Sequence, residues 1–199
     1  MKIIFLDRDG VINKFPGYGD YVTQVQRFQF LPGSLKALQI LTESGFTIFV
    51  ISNQAGVSKG VYSQDKLTRI NRYMLKRVRK ARARIKKVFY CIHSQEYNCE
   101  CRKPKIGSVK RALRLVNKKL SAAKDAFFIG DAEGDIEAGK KAGCRTIAVL
   151  SGRSTRREIN HWKIKPDCIV KNLLEAVNII NDENSCCSYL CRSRSHQGR

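Results

Sequence analysis

Five short apolar runs recur along the chain, and segments with helical periodicity separate them. The runs are rich in β-branched and aromatic residues and occupy residues 3–6, 46–51, 87–92, 126–129 and 146–150. Apolar runs of this length are typical of parallel strands that are buried on both faces of a sheet. The helical patterns between them lie at residues 34–44, 64–84, 108–120 and 135–142. This alternation predicts an α/β fold with a Rossmann-like, doubly wound parallel sheet and right-handed crossovers.

The length and composition fit one globular domain. A chain of 199 residues with 43% hydrophobic and 28% charged residues is too short for two separate cores and too apolar to be disordered. No stretch approaches the ~20 apolar residues of a membrane span, and Asp7, Arg8 and Asp9 end the first apolar run before it could act as a signal peptide. We therefore expect a cytoplasmic protein with a domain at residues 1–181. The Cys/Ser/Arg-rich tail at residues 182–199 is expected to be disordered.

Two aspartates follow the first apolar run. Alternate residues of an extended chain share a face, so Asp7 and Asp9 can point into one site. Two carboxylates this close ionise together only beside a cation, and Mg²⁺ prefers such oxygen ligands. One carboxylate that accepts a phosphoryl group and a second that moves a proton form a phosphoryl-transfer pair. A pair of ordinary turn aspartates is an equally good interpretation of these two residues alone.

Two further polar clusters could bind an anion. Ser52, Asn53 and Gln54 follow the second run with a hydroxyl, two amides and free backbone N–H groups, which suits an anion cradle or simply a capping turn. Arg102 offers a bidentate fork for phosphate, and Lys103 offers a point charge for a transferring phosphoryl group. In a chain this basic, a lone lysine is also typical of solvated surface.

A fourth cluster follows the run at residues 126–129. Asp131 lies at the end of this run, and Asp135 lies one helical turn further on the same face, so both could reach a metal beside Asp7. Asp131 could instead cap the following helix. Each cluster is weak evidence alone. Together they predict one ligand site, because the carboxyl ends of parallel strands meet at one edge of the sheet.

The order of these motifs resembles a known family. DRDGVIN, SNQAG, RKP and GDAEGD occur in the order found in haloacid dehalogenase (HAD) superfamily phosphatases, over about 150 residues. The similarity is greatest to the branch of histidinol phosphatases and heptose-bisphosphate phosphatases. It implies that Asp7 is the nucleophile that becomes aspartyl-phosphate, while Asp9 protonates the leaving alkoxide and then activates water. The short gaps between motifs leave no room for a large cap domain.

The resemblance also implies ligand contacts. Mg²⁺ would be bound by Asp7, Asp131 and the carbonyl of Asp9, with support from Asp135. Ser52 and Lys103 would hold the phosphoryl oxygens, with Lys103 counted among the catalytic residues, and residues 14–23 would form a flap over an open site. Contacts to the substrate are expected from Arg8, Asp20, Tyr21, Ser52, Asn53, Gln54, Arg102 and Lys103.

Four residues in a loop predict a zinc site. Cys91, His93, Cys99 and Cys101 form the pattern C-x-H-x5-C-x-C, and three thiolates with one imidazole are typical of a closed, tetrahedral, structural Zn²⁺ site. The alternative is four unrelated reduced side chains. Zinc here would brace the adjoining Arg102 and Lys103 over the substrate. This loop also resembles the same branch of the family.

The substrate is predicted to be a small phosphorylated metabolite. Segments 20–22, 28–33 and 56–60 resemble the heptose-bisphosphate phosphatases, which favours D-glycero-D-manno-heptose 1,7-bisphosphate hydrolysed at its C7 phosphate. Two features point the other way. The zinc loop is short, as in histidinol phosphatases, and Ala132 stands where heptose enzymes often carry a substrate-binding lysine. Histidinol phosphate therefore stays an alternative substrate.

The charge of the chain suggests a further alternative. Lys and Arg number 38 against 17 Asp and Glu, giving a net charge of +21, and eight of the twelve residues 76–87 are basic. A polynucleotide 3′-phosphatase could use such a helix to follow a phosphate backbone. The run lacks the aromatic residues of single-strand stacking platforms, and Val78, Ala81 and Ile85 recur at helical spacing, which favours a solvated helix face. We expect a monomer without a membrane partner.

Overall fold

The computed structural model describes residues 1–182, and a six-stranded parallel sheet forms its centre. The strands are β1 (Lys2–Leu6), β2 (Phe46–Asn53), β3 (Ile85–Cys91), β4 (Phe127–Gly130), β5 (Arg145–Val149) and β6 (Cys168–Val170). Their order is β3-β2-β1-β4-β5-β6, and every neighbouring pair is parallel. The predicted doubly wound fold is confirmed. The short strand β6 was not predicted, because three residues are too few to show a periodicity.

Helices lie on both faces of this sheet. They are α1 (Ser34–Glu43), α2 (Gln64–Lys80), α3 (Gly107–Arg114), α4 (Glu133–Ala142), α5 (Arg156–Ile159) and α6 (Leu173–Asn181). Short 3₁₀ turns occur at Val25–Arg27, Gln95–Tyr97 and Leu120–Asp125. None of the helices in the described part of the chain is long and apolar enough to cross a membrane.

Two predicted helices end earlier than their sequence patterns suggest. The chain leaves α2 after Lys80, where Arg82 adopts a positive φ of 58° and the backbone turns into β3. Ile85, expected on the helix, is therefore the first residue of that strand. In the same way α3 ends before Asn117, whose φ is 55°. Basic residues continue across both ends, so charge alone does not mark where these helices stop.

Alternating residues of the strands build two core layers. Ile4 and Leu6 of β1 belong to the layer that includes residues of α1, α2 and α6. Ile3 and Phe5 belong to the opposite layer, which includes residues of α3 and α4. Both layers are closed to solvent, which makes the sheet a rigid base for the loops at its carboxyl edge. The strand order reverses direction between β1 and β4, and ligands of such sheets bind in the crevice at that point.

Asp167, which precedes β6, links α4 to β5. Asp167 accepts hydrogen bonds from the backbone N–H (2.8 Å) and hydroxyl (2.9 Å) of Thr146, and it pairs with Lys140. Burial alone would raise the pKa of Asp167, but these bonds outweigh it and hold that pKa below its usual value. Residues 183–199, which make up nearly all of the predicted tail, lie outside the described residues.

Candidate active site

A cavity of about 350 Å³ opens at the carboxyl ends of β1, β2 and β4. Ten of the residues predicted for the site line it: Asp7, Asp9, Asp20, Tyr21, Ser52, Asn53, Arg102, Lys103, Asp131 and Asp135. All four polar clusters therefore meet at one place, as expected from parallel strands whose carboxyl ends share an edge. Arg8 and Gln54 do not line it.

Lys103 lies at the centre of the cavity floor. Its ammonium is 2.8 Å from Asp7 Oδ1 and 2.6 Å from Asp135 Oδ1, and it donates a hydrogen bond to the Ile51 carbonyl at 2.7 Å. The side chain is only 4% exposed. Burial disfavours the charged form, but the two carboxylates outweigh it and raise the pKa of Lys103 above its usual value. Lys103 is thus a permanent buried cation that faces the reaction site.

Three carboxylates share this floor. One oxygen each from Asp7, Asp131 and Asp135 lies within 4.8 Å of the others. Burial, with the charges of Asp135 and Asp9, raises the pKa of Asp7 to about 6 against the opposing effect of Lys103. Burial and the charges of Asp135 and Asp7 raise the pKa of Asp131 well above its usual value.

These carboxylates fit a divalent cation. Lys103 forms ion pairs with Asp7 and Asp135, so one ammonium group compensates three clustered carboxylates. Clustered oxygen ligands with an excess of negative charge are what Mg²⁺ prefers. The donor set therefore matches the predicted magnesium site.

The loop between β4 and α4 orients two of these acids. Asp135 Oδ2 accepts hydrogen bonds from the backbone N–H groups of Asp131 and Ala132, both at 3.1 Å, and so closes the amino end of α4. The N-cap position is Ala132, so the alternative that Asp131 caps the helix is wrong. Asp131 instead accepts a 2.6 Å hydrogen bond from the backbone N–H of Arg153.

Two glycines make room for the Asp131 carboxylate. A Cβ placed on Gly10 would lie 2.1 Å from Asp131 Oδ2, and one on Gly152 would lie 2.0 Å from the same atom. Gly10 also adopts a φ of +81°, which side-chain-bearing residues rarely adopt. The backbone therefore clamps this carboxylate from two sides.

Asp9 is held by three side chains. Arg8 donates to both of its carboxylate oxygens at 2.8 Å, while Asn13 donates to Oδ1 at 2.8 Å and Gln54 donates to Oδ2 at 2.7 Å. Tyr62 in turn donates a 2.6 Å hydrogen bond to the Gln54 carbonyl. These donors leave one edge of the Asp9 side chain, 17% exposed, facing the cavity.

Two predicted substrate contacts need correction. Arg8 and Gln54 were expected to touch the substrate, but Arg8 is 0% and Gln54 1% exposed, and both side chains are turned to the Asp9 carboxylate. Asn13 and Tyr62 also contribute to this network and were not predicted. Asn13 lies in the DRDGVIN motif, four residues after Asp9, which is the only sequence signal that could have indicated it.

The second strand fixes the loop that carries Lys103. The Asn53 amide donates to the Lys103 carbonyl and accepts from the Lys103 N–H, both at 3.1 Å. Asn53 thus uses its side chain on the loop, although it lines the cavity. Ser52 is 2% exposed, and its hydroxyl accepts a 3.1 Å hydrogen bond from Gln54. Arg102 donates to the His93 carbonyl at 3.3 Å and faces the cavity rim.

One wall of the cavity is the segment at residues 15–21, within the predicted flap at 14–23. The Tyr18 hydroxyl donates to the Arg153 carbonyl at 3.1 Å, and the Arg153 guanidinium lies 4.9 Å from the Tyr18 ring centre. Tyr21 packs against Tyr62 with ring centres 5.9 Å apart. Arg153 was missed, because a single arginine in a basic chain has no distinguishing pattern.

The predicted zinc ligands also come together. Cys99 Sγ lies 3.5 Å from Cys91 Sγ and 3.4 Å from Cys101 Sγ, and His93 Nδ1 lies 3.8 Å from Cys91 and 3.4 Å from Cys101. A tetrahedral site with Zn–S bonds of ~2.3 Å has ligand–ligand edges of about 3.8 Å. The four side chains therefore have the spacing of a closed zinc site.

The six-stranded parallel sheet with its helices is a haloacid dehalogenase-like fold. The family model described as HAD-hydrolase-like matches residues 100–176. A solved structure of D,D-heptose 1,7-bisphosphate phosphatase from B. bronchiseptica, complexed with magnesium and phosphate, superposes with a TM-score of 0.83 at 28% identity, covering 92% of this chain and 99% of that one.

Sequence relatives define the branch. The chain is 32% identical over 187 residues to D-glycero-beta-D-manno-heptose-1,7-bisphosphate 7-phosphatase of Neisseria meningitidis, covering 93% of this chain and 97% of the relative. It is 31% identical over 183 residues to the corresponding alpha-heptose enzyme of Campylobacter jejuni, covering 92% and 98%. The chain belongs to the HAD-like phosphatases, in the branch that contains the heptose bisphosphate phosphatases. The resemblance predicted from the motifs and the enzyme class are confirmed.

Proposed function

We propose that this phosphatase is a Mg²⁺-dependent phosphomonoesterase that removes the C7 phosphate of D-glycero-D-manno-heptose 1,7-bisphosphate through an aspartyl-phosphate on Asp7. The observation that carries the proposal is the cavity floor, where Asp7 faces Lys103 and two further carboxylates. The names of the relatives support the heptose bisphosphate as substrate.

In the first half of the reaction, Asp7 attacks phosphorus. A bond forms between an Asp7 oxygen and the phosphoryl group while the ester bond to the substrate breaks, and protonated Asp9 gives its proton to the leaving alkoxide. Lys103 is 2.8 Å from the nucleophile, so its charge offsets the negative charge of the phosphoryl oxygens. The Ser52 hydroxyl, at the same edge of the cavity, is a donor for one of those oxygens.

In the second half, water replaces the sugar. Asp9, now a carboxylate, removes a proton from the water, whose oxygen attacks phosphorus and breaks the bond to Asp7. Inorganic phosphate leaves, and both aspartates return to their starting states. The donors from Arg8, Asn13 and Gln54 keep Asp9 aimed at the cavity through both steps. Positioning of this kind is worth several kcal/mol in catalysis.

Asp7, Asp131, Asp135 and the Asp9 carbonyl would hold Mg²⁺. When bound, the ion neutralises charge on the phosphoryl group and on the clustered carboxylates. Cys91, His93, Cys99 and Cys101 would hold a structural Zn²⁺.

Binding of a second phosphate is assigned to the basic residues at the rim. Arg102 and Arg153 both line the cavity, and guanidinium groups bind phosphate in a bidentate manner. The segment at residues 15–21 lies opposite the floor, where Asp20 and Tyr21 can contact sugar hydroxyls. With this wall and two arginines, the site can orient a small bisphosphate without a cap domain.

The test compares kcat/KM for the heptose bisphosphate, histidinol phosphate and a 3′-phosphorylated oligonucleotide at matched ionic strength. We expect the heptose bisphosphate to lead. A tenfold lead of the oligonucleotide, about 1.4 kcal/mol of transition-state preference, would overturn the metabolite assignment, and a lead of histidinol phosphate would overturn only the choice of substrate.

A matched pair of variants tests the chemistry. Asp7→Asn should release no phosphate from any of the three substrates, because an amide cannot form the acyl-phosphate. Asp65→Asn removes an exposed carboxylate from α2 and should behave as the unaltered protein. Turnover by Asp7→Asn, with the substitution verified by mass spectrometry, would refute the covalent mechanism.

A further inference from the structure

Outside the cavity, α2, the turn after it and β3 form a surface with a high density of positive charge. We call it the basic surface, and its exposed members are Lys66, Arg69, Arg72, Lys76, Arg77, Arg79, Lys80, Arg82, Arg84, Lys86 and Lys87. Asp65 is the only acidic residue between positions 64 and 87. None of the eleven cations forms an ion pair with any carboxylate of residues 1–182. Within residues 1–182, this dense positive charge is therefore uncompensated.

Four of these cations form a regular row. Arg69, Arg72, Lys76 and Arg79 follow one another at intervals of three or four residues, so they lie along one face of α2. The opposite face, with Leu67, Ile70, Met74 and Val78, is buried in the core. The row covers ten residue steps, which is about 15 Å at 1.5 Å per residue. Because the buried face fixes the rotation of the helix, the row is held toward solvent.

The basic surface does not lead to the cavity. Helix α2 connects the carboxyl end of β2 to the amino end of the parallel strand β3, so its last turns lie at the edge of the sheet opposite the active site. Among the described residues that line the cavity, none belongs to the basic surface. The residues of the basic surface therefore do not contact the reacting groups in the cavity. Any partner of the surface binds apart from the reaction.

We infer that the basic surface binds the phosphate backbone of double-stranded nucleic acid, independently of sequence and of the phosphatase reaction. Six of its eleven cations are arginines, whose planar forks match phosphate oxygens. The row places four positive charges over about 15 Å, and each strand of a duplex carries one phosphate per ~3.4 Å of helix axis, so the row can contact several phosphates at once.

The composition of the surface separates this partner from two other polyanions. Single strands are bound on exposed aromatic side chains, and membrane-surface helices insert apolar ones. Among the described residues, the exposed large apolar side chains all lie elsewhere: Met1, Tyr18, Val61, Tyr97, Leu115 and Leu120. The apolar face of α2 is already used in the core. The basic surface therefore offers a partner only charged side chains, which are the groups that bind the phosphate backbone of a duplex.

The test uses fluorescence anisotropy of the full chain with a labelled 20-base-pair RNA duplex and a DNA duplex of equal length, over a range of salt concentrations. The key variant is Arg69→Gln/Arg72→Gln/Lys76→Gln/Arg79→Gln. The matched control, Lys110→Gln/Arg114→Gln/Lys118→Gln/Lys124→Gln, removes four exposed charges around α3 and gives the same net charge. Duplex binding contributes ~0.9 to the salt slope per phosphate neutralised, so the key variant should lose up to about 3.6 in slope. We expect its affinity at 0.1 M salt to fall at least tenfold, while the control falls less than threefold.

Three outcomes would overturn the inference. Equal losses in both variants would mean that net charge alone attracts the duplex. No binding of either duplex at 0.1 M salt would remove the partner altogether. Tighter binding to vesicles containing anionic phospholipid than to both duplexes would assign the surface to a membrane. Phosphatase activity of both variants should be unchanged, and saturating duplex should not inhibit it, because none of the described residues that line the cavity belongs to the basic surface.

Discussion

Removal of the Lys103 charge should destabilise the protein in a pH-dependent way. In Lys103→Met the side chain keeps its approximate volume, but Asp7 and Asp135 lose the cation that lies 2.8 and 2.6 Å from them. Deleting one partner of a buried ion pair typically costs ~3–5 kcal/mol, because the remaining charge is left uncompensated. We expect a loss of this size in the free energy of unfolding at pH 8 without added Mg²⁺.

The sign of the pH dependence follows from Asp7. Its pKa of about 6 lies above the ordinary value of 3.8, so this carboxyl favours the folded state most when protonated and loses that contribution as pH rises through 6. Lys103 opposes the shift, so its removal raises the pKa of Asp7 further. At pH 5 Asp7 is largely protonated in both proteins. The difference in stability between them should therefore be smaller at pH 5 than at pH 8, where only the unaltered protein compensates the ionised group.

Urea unfolding followed by the fluorescence of Trp162, the single tryptophan, measures this difference. The control is Lys141→Met, which breaks an exposed pair with Glu137 and should cost at most ~0.5 kcal/mol at either pH. With Mg²⁺ present, kcat of Lys103→Met should fall ~10²–10³-fold, the usual effect of losing one group that stabilises transition-state charge. A loss no larger than that of Lys141→Met, or the same loss at both pH values, would refute the reasoning.

Three further predictions concern other parts of the molecule. Gln54→Leu removes one hydrogen bond to Asp9 from outside the cavity, so kcat should fall ~10–100-fold with KM nearly unchanged. The loss of kcat should be smaller on p-nitrophenyl phosphate, because its leaving group needs no proton. Equal losses on both substrates would contradict a role of Gln54 through Asp9. Elemental analysis after dialysis should find about one zinc per chain in the unaltered protein. The zinc content should be greatly reduced in Cys99→Ser but not in the control Cys144→Ser. Zinc-free unaltered protein from cells grown with added zinc would disprove the site. Asp167→Asn should lower stability by ~1 kcal/mol at pH 7, because the depressed pKa of this acid stabilises the fold above its ordinary value of 3.8. That deficit should vanish as unfolding is measured at falling pH below 3.8, and a constant deficit would contradict the linkage.

The sequence predicted most of the floor of the site, because its residues follow strand ends. Asp7, Asp131 and Lys103 are each placed by a short motif beside a strong apolar run or a metal-ligand pattern. The prediction failed where the direction of a side chain decides whether a residue reaches the cavity. Arg8 stands between two cavity residues in sequence, yet its side chain is fully buried and bonded to the Asp9 carboxylate. No spacing rule distinguishes Gln54, which is buried, from Asn53, which is at the cavity.

Contacts between distant loops were beyond the reach of periodicity. Arg153 lines the cavity because the segment after β5 packs against Asp131 and donates a backbone hydrogen bond to it. Tyr62, in the turn before α2, donates a hydrogen bond to Gln54. The end of α2 was placed late because the turn at Arg82 is made by a residue with no turn preference. Local patterns therefore located the chemistry, while tertiary packing decided which side chains reach it.

The close approach of backbone to Asp131 has a consequence for how this enzyme can vary. A saturation scan of substitutions should show positions 10 and 152 to be as intolerant as the nucleophile itself, although neither has a side chain that could take part in the reaction. At each position even alanine would place a carbon within 2.1 Å of the Asp131 carboxylate, far inside the contact distance of two atoms. A mutant library that keeps only the residues with reactive side chains constant would therefore lose activity at positions 10 and 152, where the enzyme requires the absence of a side chain.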